Sequence, residues 1–146
     1  FQKYFIPEYE KEAEILHKHG KLLAVHMDGR LDVLKDLIAK TPLDIVEAFH
    51  PPPMCDLPLG EALSLWKDKV IWLGFPGSVY SLGPEAVKNH ALDLLREIGS
   101  GDRLVIEMNT ENYEPNENLL MLTSVLENAD LPLTKEKIDR IERSLA

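Results

Sequence analysis

His26 and Asp28 stand two residues apart at the end of the apolar run LLAVHMDG, residues 22 to 29. In a strand, residues two apart point to one face, so imidazole and carboxylate at this spacing converge on one metal ion or one substrate group. The local alternative is that Asp28 and Gly29 make a turn and cap the next helix while His26 hydrogen-bonds a loop carbonyl. Glu47 lies within DIVEAF, an otherwise apolar run. An unpaired buried carboxylate is costly, so Glu47 requires a partner or a proton. Glu107, followed by Asn109 and Glu111, repeats that context after RLVI. His50 opens the run HPPPMCD, whose three prolines predict a stiff, extended path ending near the single cysteine, Cys55. That thiol is either a soft-metal ligand, for zinc, or a small buried hydrophobe. His17, His19 and His90 fall on predicted helices, as solvated or C-terminal dipole partners.

These residues need elements to position them. PEYEKEAEILHKHG predicts a helix, with Pro7 near its start, acids early, basic groups late and Gly20 at its stop. Short apolar runs then alternate with amphipathic segments. Strands are expected near 21 to 26, 44 to 49, 70 to 74 and 103 to 108, each followed by a helix. The intervening helices are RLDVLKDLIAK, LGEALSLWK behind Asp56 as a cap, PEAVKNHALDLLREIG after a Gly- and Ser-containing loop, and NENLLMLTSVLEN. Thr134 is placed to cap a last helix, KEKIDRIERSLA. Trp66, Trp72 and the leucine-rich faces read as core, and the charge runs as solvated faces. Such alternation predicts an α/β fold with a helix-covered parallel sheet. Every histidine outside the helices, and the single cysteine, then falls at or just beyond a strand's carboxyl end, where both doubly wound sheets and (β/α)8 barrels carry their chemistry.

The composition narrows the function classes. With 146 residues, 45% apolar and 28% charged, the chain has the size and balance of one globular domain. A net charge of -9 argues against nucleic acid, whose phosphates demand a basic patch. No run approaches the ~20 apolar residues of a membrane span, and the first residues lack the pattern of a secretory signal. A lone cysteine forms no internal disulfide, so a reducing cytoplasm is the expected location.

No GxGxxG follows the first strand and no GxxxxGK[ST] occurs, which favours a barrel over a nucleotide-binding open sheet. A closed (β/α)8 barrel takes ~250 residues, so four βα units make half of one, with two unpaired strand edges. The expectation is a half barrel that needs its missing half or a homo-oligomeric partner.

The order of segments PEYEKEAEILHKHGKLLAVHMDG, DIVEAFHPPP, DLPLGEALSLWKDKVIWLGFP, GPEAVKNHALDLLREIG and EPNENLLML resembles the carboxyl-terminal half of the uroporphyrinogen decarboxylase superfamily, over nearly the whole chain. Its most specific pieces are the HxxG strand end at His26 to Gly29, the DxxLxEA opening from Asp56, DKVIWLGF and PNEN. The resemblance implies a (β/α)8 barrel and one of two activities. One is cofactor-free decarboxylation of a porphyrinogen. The other is methyl transfer from a small methylated substrate to a separate corrinoid protein, with zinc activating a thiol or holding a methyl-donor oxygen. Thiol-activating members ligate zinc through a histidine and cysteine in an HxC arrangement at this strand end, plus a cysteine after the last strand. Here His26 matches, Asp28 stands in place of the cysteine, and no cysteine surrounds Glu107 to Asn109. The implied site is a mixed one, with His26, Asp28 and Glu107 as metal donors and His26, Asp28, Glu47 and Glu107 as catalytic candidates. For decarboxylation, the histidine expected after the last strand has no counterpart near Met108 and Asn109, and the rim offers acids where substrate carboxylates need cations. A non-enzymatic scaffold or oligomerisation fragment is the third reading.

Overall fold

The computed structural model describes residues 1–108 and 115–145. They form two compact units, 1–74 and 75–146. The α/β alternation is as expected.

The first unit opens with α1 (Phe5–Lys18), which starts two residues before Pro7 and ends at His19 and Gly20, the glycine at φ +64°. Strands β1 (Ala24–His26), β2 (Ile45–Phe49) and β3 (Val70–Gly74) follow. They pair in parallel in that order, with Ala24 opposite Ile45, His26 opposite Glu47, and Ile45 opposite Val70. RLDVLKDLIAK is helical in two short pieces, a 3-10 turn (Asp32–Leu34) and α2 (Lys35–Ile38). Helix α3 (Leu59–Leu65) starts behind Pro58 without a side-chain cap. Asp56 does not cap it. Its carboxylate reaches back to the Asp32 N–H and the Arg30 guanidinium, both at 3.2 Å. Pro51–Cys55 closes into a turn in place of the extended path, the Met54 and Cys55 N–H groups donating to the Pro51 carbonyl at 3.1 and 3.3 Å.

One face of this sheet is dry. Val46, Ile71 and Leu73 are fully buried, as are Ile38 of α2 and Leu59 and Ala62 of α3. Trp66 closes this core, its ring edge on Phe49 at 5.8 Å and its indole N–H donating to the Lys35 carbonyl at 3.0 Å. The other face carries Ala24 and His26, both exposed, with Ile45, Glu47, Val70 and Trp72 half-buried. Helix α1 buries a single side chain, Ala13, and is tied to the sheet by His17.

In the second unit, α4 (Gly77–Tyr80) lies where a loop was expected, followed by α5 (Pro84–Glu97), β4 (Leu104–Glu107), α6 (Asn116–Glu127) and α7 (Lys135–Ser144). Thr134 caps α7 as its sequence predicts, accepting from the Lys137 N–H at 3.3 Å. Phe75, Tyr80, Val87, Leu92, Leu122 and Val125 build its core. Arg96 bridges α5 to α7 through Glu142 at 2.9 Å. No helix among the described residues is long and apolar enough to cross a membrane.

Candidate functional site

The alternation Leu23, Val25 against Ala24, His26 sorts β1 by face. Leu23 and Met27 are buried, while Ala24, His26 and Asp28 are exposed. β1 ends at His26, so the two-residue alternation of a strand stops short of Asp28, which is exposed in the loop that follows. Asp28 caps nothing: the following 3-10 turn begins at Leu31 without a side-chain cap, and the Asp28 carboxylate makes no hydrogen bond among the described residues.

Glu47 has the partner its context demanded. Register places it beside His26, whose Nδ1 lies 2.6 Å from Glu47 Oε2. A carboxylate only accepts, so Nδ1 carries the hydrogen and the neutral ring bears its lone pair on Nε2. The imidazole is 66% exposed and the carboxylate 26%, so the carboxylate is the fixed member and the ring its outward extension. A histidine held at one nitrogen by a carboxylate and presenting the other is the arrangement of a metal-ligating or proton-transferring imidazole.

The remaining candidates fall differently. Glu107 ends β4 in the second unit, exposed, with its backbone carbonyl accepting from the Phe75 N–H at 2.9 Å. Asn109 and Glu111 lie outside the described residues. Cys55 is a half-buried free thiol. Among the described residues, no three or more His, Cys, Asp or Glu side chains are grouped to hold a metal ion. A cleft of about 360 Å³ between α5 and α7, lined by Leu95, Arg96, Leu133 and Ile138, includes none of the candidates.

Two helical histidines have roles that helix position alone did not show. His17 Nε2 sits 2.8 Å from Asp44 Oδ2, the oxygen that also accepts the Leu23 N–H at 2.7 Å. Burial raises the Asp44 pKa, but the His17 and Leu23 hydrogen bonds outweigh it and hold the carboxyl below its ordinary value. His90 is half-buried with its ring edge-on to Phe75 at 5.3 Å, and burial lowers its pKa. His19 does serve the helix C-terminus, with Nδ1 2.8 Å from the Ile15 carbonyl.

Fold and site define an α/β protein with a histidine–carboxylate pair on the less buried face of a parallel sheet. Compared with models of known protein families, with curated proteins and with solved structures, the chain finds no match.

Proposed function

We propose that this chain is the carboxyl-terminal half of a uroporphyrinogen decarboxylase-like (β/α)8 barrel and takes part in methyl transfer from a small methylated substrate to a corrinoid protein. The observation that carries the reading is the His26 Nδ1–Glu47 Oε2 hydrogen bond of 2.6 Å, which leaves Nε2 without a partner among the described residues. The donor chemistry fits zinc in kind, an imidazole nitrogen and, two residues further along the chain, a carboxylate oxygen. It supplies two of the three protein ligands that a catalytic zinc takes. Bound there, zinc would supply Lewis acidity toward a methoxyl or similar leaving group.

The chain's own residues do the rest. Glu47 fixes the His26 tautomer and ring orientation, so Nε2 is presented without a rotamer search. Asp28, exposed two residues beyond His26, adds negative charge to this strand end, which favours a cation there over an anionic substrate. Trp72, half-buried on β3, gives the face an apolar surface. The test is the zinc content of the purified, dialysed chain. About one zinc per chain, lost in His26→Ala and Asp28→Ala variants that keep their circular dichroism, supports the reading.

Among the described residues no third donor joins His26 and Asp28, which favours a second reading, metal-free decarboxylation, in which the His26–Glu47 pair moves a proton to the carbon that loses its carboxyl group. A folded, zinc-free sample that releases carbon dioxide from a porphyrinogen would replace the first reading with this one.

A further inference from the structure

His50 is the histidine that this chemistry leaves unused, and an irregularity of β2 places it. Val46 pairs with Ile71 but Phe49 with Leu73, so three steps along β2 span two along β3. Within this bulge Ala48 takes φ +58°, a left-handed conformation that costs a residue with a Cβ ~1 kcal/mol or more. The bulge turns Phe49 onto the helix-covered face, against Trp66, and the next residue, His50, to the opposite side. There the His50 ring occupies the space that a Cβ on residue 74 would fill. Gly74 lies two positions beyond Trp72, so that space belongs to the face of Trp72, Glu47 and His26.

The hydrogen bond at Nδ1 also selects one tautomer of the neutral ring. His50 Nδ1 is 2.8 Å from the Ala48 carbonyl oxygen, which only accepts, so Nδ1 carries the hydrogen. Nε2 then bears the lone pair of the neutral ring, and it has no hydrogen-bond partner among the described residues. A bulge, an alanine at positive φ and a glycine opposite thus combine to aim one half-buried imidazole. Bulges and strained residues that re-aim a side chain are concentrated at functional sites.

We propose that His50 is a further substrate-binding residue of this face, accepting through Nε2 a hydrogen bond from a hydroxyl or N–H group of the substrate. The inference rests on the reading that this face is the site, and is independent of whether zinc binds. An aimed lone pair selects for a ligand that brings a hydrogen and against one that offers only acceptor oxygens.

The experiment is nitrogen-15 NMR of histidine-labelled chain, with His26→Ala and His50→Gln variants to assign the two rings. Phenol is added as a hydroxyl donor and anisole as a similar ring without one. The expected result is a His50 ring protonated on Nδ1, whose Nε2 resonance moves with phenol and stays in place with anisole. A ring protonated on Nε2, a response to both compounds, or a response to neither overturns the proposal. Zinc added to the same sample separates the two readings. A shift confined to His26 leaves His50 as the acceptor, and a shift of the His50 Nε2 resonance makes it a ligand and overturns the acceptor role. Absence of any zinc response removes the metal reading and leaves the phenol result to decide His50.

Discussion

The first unit contains a histidine–carboxylate pair twice, the two carboxylates three residues apart in the chain, with opposite consequences. His17 spends its outer nitrogen, Nε2, on Asp44, whose same oxygen also takes the Leu23 N–H at 2.7 Å. His26 spends its inner nitrogen, Nδ1, on Glu47, and its outer nitrogen has no partner among the described residues. The first pair joins a helix, a strand start and a backbone donor just ahead of β2. It is a clip, and its removal should register as stability. The second lies toward the carboxyl ends of two strands, where α/β proteins place their chemistry. Its removal should register as binding or turnover.

The sharpest way to break this comparison is to remove the carboxylate that serves two donors. Asp44→Ala leaves both His17 and the Leu23 N–H without their acceptor, and is expected to cost about 1–2 kcal/mol. Urea denaturation checks it, as a lower midpoint with an unchanged slope. A loss no larger than that of His26→Ala would erase the distinction between clip and site.

The pH dependence comes next in size. With its carboxyl held below the ordinary value of 3.8, Asp44 stabilises the fold above that pH, and this contribution is lost as pH falls through the folded pKa. The stability difference between wild type and Asp44→Asn should therefore be level above about pH 5 and shrink on acidification below the unfolded value. His90 acts at a higher pH. Burial lowers its pKa from 6.5, so the unfolded chain binds the proton more readily, and stability falls as pH drops through 6.5 toward the folded value. In a His90→Phe variant that step should disappear from a plot of urea midpoint against pH.

A double-mutant cycle on His26 and Glu47 should give a coupling of only about 0.5 kcal/mol, because the imidazole is 66% exposed and screened by solvent. A coupling of ~2 kcal/mol or more would make this pair a second clip.

The sequence displayed one half of this contrast and hid the other. Short valine-, isoleucine- and leucine-rich runs located all four strands, and the position of His26 at the end of the first run marked it as a strand-end residue. Such runs are local, so they are readable. The partnership of Glu47 with His26 depends on strand register, which relates residues 21 positions apart. The contact of His17 with Asp44 spans 27 positions and was hidden for the same reason. Asp56 shows how far local reasoning reaches: it stands where a cap belongs, yet its carboxylate serves Asp32 and Arg30, 24 and 26 residues earlier. The bulge at Ala48 was invisible for a different reason. Alanine carries no preference for positive φ, so nothing in DIVEAFH announced that His50 would be turned to the open face.

Glu47→Gln gives the smallest structural effect and the finest test of the comparison. A glutamine can still accept from His26 Nδ1 through its amide oxygen, so stability should stay within ~0.5 kcal/mol of wild type. It loses the negative charge beside the ring, and its amide nitrogen can instead donate, which would turn the lone pair inward to Nδ1. Replacing a carboxylate that orients a ligating histidine costs ~10–100-fold in metal affinity. A zinc titration of Glu47→Gln should therefore show weakened binding in a chain that melts as wild type does. Unchanged affinity would place Glu47 with Asp44, as a carboxylate that holds the fold and leaves the chemistry of His26 untouched.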